Sequence, residues 1–206
     1  MNDRLTRRTF LQSSSLGFAA LVIGCKSDGS PVVIPDVTSD TGPGGSTPMP
    51  SPPAGEGTWA WVRIAEDNSI YLAMNKAEMG QGISTGITVL LAEELGASWD
   101  QVHVVMEPEI GEFFLPTGGR AGTAESTSIR LQYQALREVG ATAREMLIAA
   151  AAARLGVDAG TLRAENGFIV AGDGTTLTFG ELVKEAMALP APENPALKDP
   201  EDFTLI

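Results

Sequence analysis

The sequence predicts an α+β fold: a small mixed sheet packed by two main helices, one of them long, behind a disordered N-terminal tether. Three observations predict it. Alternating runs rich in Trp, Val, Ile and Tyr lie at 58–64, 69–74 and 102–106. Two stretches, near 84–95 and 126–155, repeat apolar residues three and four apart. Residues 26–57 are dominated by Ser, Gly, Pro, Thr and Asp, a composition that cannot bury enough apolar surface to fold.

A length of 206 residues suits one domain plus tails. The formal charge is −12, from 14 basic and 26 acidic residues. That acidity excludes a nucleic-acid binder, which needs a basic face. The chain has one cysteine, Cys25, and one histidine, His103. A Cys/His zinc site or an all-cysteine iron–sulfur site cannot be built from this chain alone.

The N-terminus reads as an address. Arg7-Arg8-Thr9-Phe10-Leu11 places a twin arginine before a short apolar run, Leu16 to Gly24. Charged, apolar and small-residue regions in that order read as an export signal over 1–24. The arginine pair points to the twin-arginine route. Val22-Ile23-Gly24-Cys25 resembles the lipobox of bacterial lipoproteins, and the lone cysteine falls there. Cleavage before Cys25 and acylation of its thiol would leave a membrane-tethered lipoprotein on the periplasmic side. Residues 25–57 would then be a Pro/Gly/Ser-rich spacer, and 58–206 the folded domain.

Within that domain, 58–64 and 69–74 are expected to pair as a hairpin across Ala65-Glu66-Asp67-Asn68. A helix follows over 84–95, stopped by Gly96. A third strand covers 102–106, where His103 alternates with valines and reads as structural. Residues 107–122 form an irregular loop. One long helix is expected over 126–155, and Gly140 inside it implies close packing against another element. After Gly156 come a short helical turn at 158–162, a hairpin of 167–170 with 176–179, a last helix over 179–188 and a Pro-rich extended end.

The stretch that carries chemistry is Glu78-Met79-Gly80-Gln81-Gly82, between the second strand and the first helix. Helix starts offer unpaired N–H groups and a partial positive charge. Glycines let a ligand approach that backbone, and Gln81 adds an amide that donates and accepts. Two readings stay open on these residues alone: a cradle for a phosphate-bearing ligand, or a turn that merely starts a helix.

Glu78-Met79-Gly80-Gln81-Gly82, Leu91-Ala92-Glu93-Glu94-Leu95-Gly96, Trp99-Asp100 and Val102-His103-Val104 resemble the molybdopterin-binding subunits of the xanthine dehydrogenase and aldehyde oxidase superfamily. Ser126-Thr127-Ser128-Ile129-Arg130 and the run from Leu136 to Leu147 narrow the likeness to the beta subunits of the isoquinoline 1-oxidoreductase branch. The resemblance implies a molybdenum hydroxylase acting on aldehydes or N-heteroaromatics. Its cofactor would be molybdopterin, often as the cytosine dinucleotide. Its 2Fe-2S clusters would sit on a partner subunit, with a cytochrome c as candidate acceptor. It further implies that Gly80, Gln81 and Gly82 lie along the pterin, with Gln81 near the metal end. Ser126, Thr127 and Ser128 would hold pterin and phosphates.

Three departures follow. Family large subunits are several hundred residues longer, and their catalytic glutamate lies near the far C-terminus. No catalytic or metal-ligating residue is therefore assigned in this chain, and a separate chain carrying the remainder of the large subunit is an expected partner. The family places Thr-Gly-Gly-Ser before the Thr-Ser-Ile pattern, where this chain reads Thr123-Ala124-Glu125-Ser126. Either an insertion, Arg120 to Glu125, displaces the glycines, or Ala124 and Glu125 replace them. The lipobox is not a general family feature. A lipid-tethered, non-catalytic relative acting as scaffold is the alternative reading.

Overall fold

In the computed structural model the described residues are 20–25, 31–34, 59–106 and 123–205. The main sheet has five strands in the order β2-β1-β3-β4-β5. These are β1 (Ala20–Cys25), β2 (Pro31–Ile34), β3 (Trp59–Ala65), β4 (Ile70–Met74) and β5 (Val102–Met106). β3 and β4 form the expected antiparallel hairpin, with Val62 opposite Leu72 and Ile64 opposite Ile70. β5 runs parallel to β4, which demands a crossover; helix α1 (Ile83–Leu95) supplies it. Gly96 closes α1 in the left-handed conformation, its N–H donating to the Ala92 and Glu93 carbonyls. The rest of the chain gives α2 (Thr127–Arg130), α3 (Tyr133–Leu155), a second sheet of β6 (Leu162–Glu165), β7 (Phe168–Ala171) and β8 (Thr176–Thr178), and α4 (Phe179–Met187). The architecture is α+β, with small sheets and one long helix, as the sequence predicts.

Period two in the strands and 3.6 in the helices meet in one core. Leu21, Val62, Ile64, Ile70, Leu72 and Met74 of the sheet are fully buried with Ile87, Leu91 and Leu95 of α1. Leu136, Met146 and Leu147 of α3 and Phe179, Leu182 and Val183 of α4 complete that core. Gly140 marks where α3 crosses α1: a Cβ there would stand 2.7 Å from the Leu91 carbonyl oxygen and 2.8 Å from Glu94 Cβ. The close packing inferred from that glycine is present.

A buried acid pair fastens the C-terminal segment to α1. Glu94 accepts from Arg137 Nε (2.6 Å), Arg144 Nη1 (2.9 Å) and the Lys198 N–H (3.0 Å). Glu93 accepts from Lys198 Nζ (3.0 Å) and from the N–H groups of Thr204 (2.9 Å) and Leu205 (2.7 Å). Arg137 also donates to the Lys198 carbonyl and lies over the rings of Tyr133 and Phe203. Both carboxylates are buried, and every oxygen has a donor, which is what makes their burial tolerable.

The structure differs from the sequence reading in three places. The single helix expected over 126–155 is two, α2 and α3, separated at Leu131 and Gln132. There the side chain of Gln132 is buried and donates to the Ser128 carbonyl (2.7 Å), a local bond that competes with a continuous helix. β6 is an addition to the expected strands, because Arg163 and Glu165 mask the alternation of a four-residue strand. Finally, β1 and β2 lie in the segments read as export signal and spacer. Ala20-Leu21-Val22-Ile23 and Val32-Val33-Ile34 are short apolar runs, and such runs suit a buried strand as well as a leader. The rest of those segments, the loop over 107–122 and residue 206 lie outside the described residues.

Candidate functional site

β4 delivers the chain at Met74 into the loop that opens α1. The loop is organised by Glu78. Its Oε1 accepts from the N–H groups of Gly80 (2.8 Å) and Gly82 (3.1 Å); its Oε2 accepts from the N–H (2.9 Å) and hydroxyl (2.8 Å) of Ser84. These bonds, those from Ser84 foremost, favour the charged form and hold the Glu78 carboxyl down to about 2. A folded-state value below the ordinary one gives a contribution that is present above the ordinary carboxylate range. It is lost as pH falls through about 2. At neutral pH the start of α1 is therefore capped by the protein's own anion.

At this helix start the N–H groups of Gly80, Gly82 and Ser84 are engaged by Glu78, and a phosphate placed on them would meet its carboxylate. What remains available is the outer surface of the loop. Gly80 (φ 89°) and Gly82 (φ 79°) adopt the left-handed conformation, and a Cβ at either would meet nothing within 4 Å. A ligand can lie against this backbone without steric opposition. Gln81 is exposed and folded on its own loop: Oε1 accepts from the Met79 N–H (2.6 Å) and Nε2 donates to the Ala77 carbonyl (2.8 Å).

The second predicted wall stands beside the first. The Thr123 hydroxyl accepts from the Ala77 N–H (2.9 Å). Asn75 Nδ2 donates to Gln132 Oε1 (2.9 Å), and Gln132 in turn holds the Ser128 carbonyl. Ile129 packs on Gly86, where a Cβ would come within 3.2 Å of Ile129 Cδ1. The segments flanking the two stretches singled out in the sequence thus meet, through Ala77 with Thr123, Asn75 with Gln132 and Gly86 with Ile129.

Their presentation differs from residue to residue. Ser126 is exposed, Thr127 half-buried and Ser128 buried. The N–H and hydroxyl of Thr127 both donate to the Ala124 carbonyl, at 3.1 and 2.7 Å. α2 is a single turn, so this wall offers side chains more than a row of free N–H groups. Glu125 (φ 57°) and Ser126 (φ 52°) are both left-handed, a conformation that costs an L-residue roughly 1–2 kcal/mol. Glycine is at ease in this conformation. Glu125→Gly should raise stability by about 1 kcal/mol. Equilibrium urea unfolding checks this, and a variant no more stable than the parent would refute the strain.

Sequence reasoning misses three participants. Glu78 lies inside the Gly-rich motif, yet its part as the cap does not follow from that motif; an acid just ahead of a helix start is the available signal. Gln132 joins the walls from 57 residues after Asn75, a contact with no local sequence signature. Lys76 is buried beside the loop, and burial pushes its pKa down. His103 stacks on Tyr71, with ring centroids 5.1 Å apart.

The arrangement offers an open backbone face at Gly80 and Gly82, with Gln81 exposed beside it. Comparison with known proteins identifies the kind of domain. Residues 37–204 match the molybdopterin cofactor-binding domain model. The B chain of nicotinate dehydrogenase from Pseudomonas putida is 33% identical over 147 residues, covering 71% of this chain and 12% of that protein. The beta subunit of isoquinoline 1-oxidoreductase from Brevundimonas diminuta is 30% identical over 184 residues, covering 87% of this chain and 22% of that one. The crystal structure of quinoline 2-oxidoreductase from Pseudomonas putida 86 aligns over 69% of this chain and 19% of its own, with TM-score 0.48 and 20% identity. This chain therefore spans 12% and 22% of the length of those two sequence relatives. The family match extends over most of the chain, and the chain belongs to the molybdopterin cofactor-binding domain family.

Proposed function

We propose that this chain is the N-terminal part of a molybdenum hydroxylase large subunit and forms one wall of its molybdopterin site. The observation that carries this reading is the junction of the loop 75–82 with Thr123 and Gln132, which leaves an open face at Gly80 and Gly82. When bound, the molybdenum–pterin group supplies oxygen-transfer and redox chemistry. Gly80 and Gly82 would give it backbone surface; Gln81 would turn from its own loop to offer the amide. Ser126 and Thr127 would line the facing wall, with Ser128 supporting it from within. Glu78 holds the loop in shape and is not offered as the base. The catalytic glutamate would come from a second polypeptide carrying the rest of the large subunit, and the 2Fe-2S clusters from an iron–sulfur subunit. The cytosine dinucleotide form, an aldehyde or N-heteroaromatic substrate and a cytochrome c acceptor belong to the same proposal. So do twin-arginine export and a periplasmic-side lipid anchor at Cys25.

The test is co-expression with the remaining large-subunit chain and the iron–sulfur subunit, followed by molybdenum and cytidine analysis of the purified complex. Stoichiometric metal is the expected result; a well-folded complex without metal would refute the reading. Gln81→Ala should lower molybdenum content while leaving the melting curve of the chain unchanged, because the side chain is exposed and bonds only within its loop. Retained metal in that variant would remove Gln81 from the site. A metal-free complex would instead favour the lipid-tethered scaffold. The specific support for that second reading is Glu125, a carboxylate on a left-handed backbone beside the second wall.

A further inference from the structure

Arg137 is 6% exposed and is balanced by Glu94. Arg63, in the middle of β3, is buried almost as deeply at 7%, yet no carboxylate among the described residues pairs with it. Its Nε is buried and has no hydrogen-bond partner. What it does have is an aromatic row. Register puts Arg63 opposite Tyr71 on β4, and Tyr71 opposite His103 on β5. Side chains alternate along a strand, so these three share the sheet face opposite to that of Val62, Ile64, Ile70 and Leu72. The guanidinium carbon of Arg63 lies 5.0 Å from the Tyr71 ring centroid. The Tyr71 and His103 rings stack at 5.1 Å with 27° between their planes. The row thus crosses three strands, from a buried cation to an exposed imidazole.

A ring face returns only part of the cost of taking a guanidinium out of water. An anion beside it would return much more. The guanidinium is a planar fork whose N–H pairs match the oxygens of a carboxylate or phosphate, and Nε–H belongs to one such pair.

We propose that Arg63, Tyr71 and His103 form an oxyanion site on this face of the main sheet, taking the carboxylate of a small acid or the phosphate of an ester. Arg63 is its anchor, through Nε–H and the neighbouring guanidinium N–H. Tyr71 holds the plane of the fork, and His103 flanks the ligand at the exposed end of the row. The chain carries a formal charge of −12, so its overall field repels anions. What holds one here is a close and partly desolvated contact, which salt screens little. Nothing in this site depends on a cofactor at Gly80 and Gly82.

His103 is the one histidine of the chain, so its imidazole Cε1–H gives a single proton resonance that reports on the row. The full chain is titrated at one pH with inorganic phosphate, acetate and benzoate, each against sodium chloride of equal ionic strength. The expected result is a saturable shift of that resonance and a melting temperature that rises with the same anion. The order of affinity identifies the source. Benzoate ahead of the others means an aromatic acid, whose ring extends the stacked row. Acetate level with benzoate means an aliphatic acid, and phosphate ahead of both means a phosphate ester. Arg63→Met removes the fork and should weaken binding at least about tenfold, as the loss of hydrogen bonds from a charged group does. Arg63→Lys keeps the charge without the fork and should fall between parent and Arg63→Met. The site is refuted if none of the three anions gives a saturable shift, if chloride gives the same one, or if the shift survives in Arg63→Met. Should Arg63→Met not fold, Arg63→Lys decides: binding equal to the parent's would remove the fork as anchor.

Discussion

Replacing Glu94 by alanine should cost about 3–5 kcal/mol of unfolding free energy. The side chain is fully buried and binds two guanidinium groups, those of Arg137 and Arg144, whose own side chains are 7% and 11% exposed. Truncation leaves both cations in the interior without their counter-ion, together with the Lys198 N–H. The loss therefore exceeds that of an exposed ion pair, which is worth about 0–1 kcal/mol. Equilibrium urea unfolding measures it. A companion variant separates the cause: Glu94→Leu with Arg137→Met and Arg144→Met removes the charges together and should recover much of the loss. If the single and triple variants were equally unstable, packing rather than unpaired charge would be the reason.

Gly140→Ala should lower stability by about 2 kcal/mol, although alanine favours a helix by about 1 kcal/mol over glycine. The added methyl has no room: the Leu91 carbonyl and Glu94 Cβ lie within 3 Å of its position, both on the facing helix. α1 and α3 would have to separate, loosening the contacts that bury Leu91 and Leu95 as well as the acid pair. A drop in melting temperature checks this; an unchanged one would refute the close crossing.

The elements visible in the sequence are those whose pattern is local. The 59–65 and 70–74 hairpin, α1 with its glycine stop, β5 and α4 announce themselves by period and punctuation. The α2–α3 break does not, because its cause is the Gln132 side chain reaching Ser128 and, across 57 positions, Asn75. β1 and β2 stay hidden because four to six apolar residues specify burial without saying in what. At the site, the glycines and Gln81 are legible as an approachable backbone. The role of Glu78 is not, because composition alone does not say whether an acid will turn onto the helix start that follows it. Once it does, the reading changes from an anion receptor to a loop that carries its own anion and offers an outer face.

The acid pair of α1 also sets an order of events. Glu93 meets Thr204 and Leu205 from 111 and 112 positions away, and Glu94 meets Lys198 from 104. Contacts of such separation close large loops and form late. During synthesis α1 emerges roughly 5–20 s before these last partners, at the usual pace of translation. Through that interval Glu93, whose donors are Lys198, Thr204 and Leu205, waits without them, while Glu94 can already meet Arg137 and Arg144. Seating of α1 is thus timed by the ribosome: the helix that opens at the candidate site can finish docking only after residues 198–205 have been made.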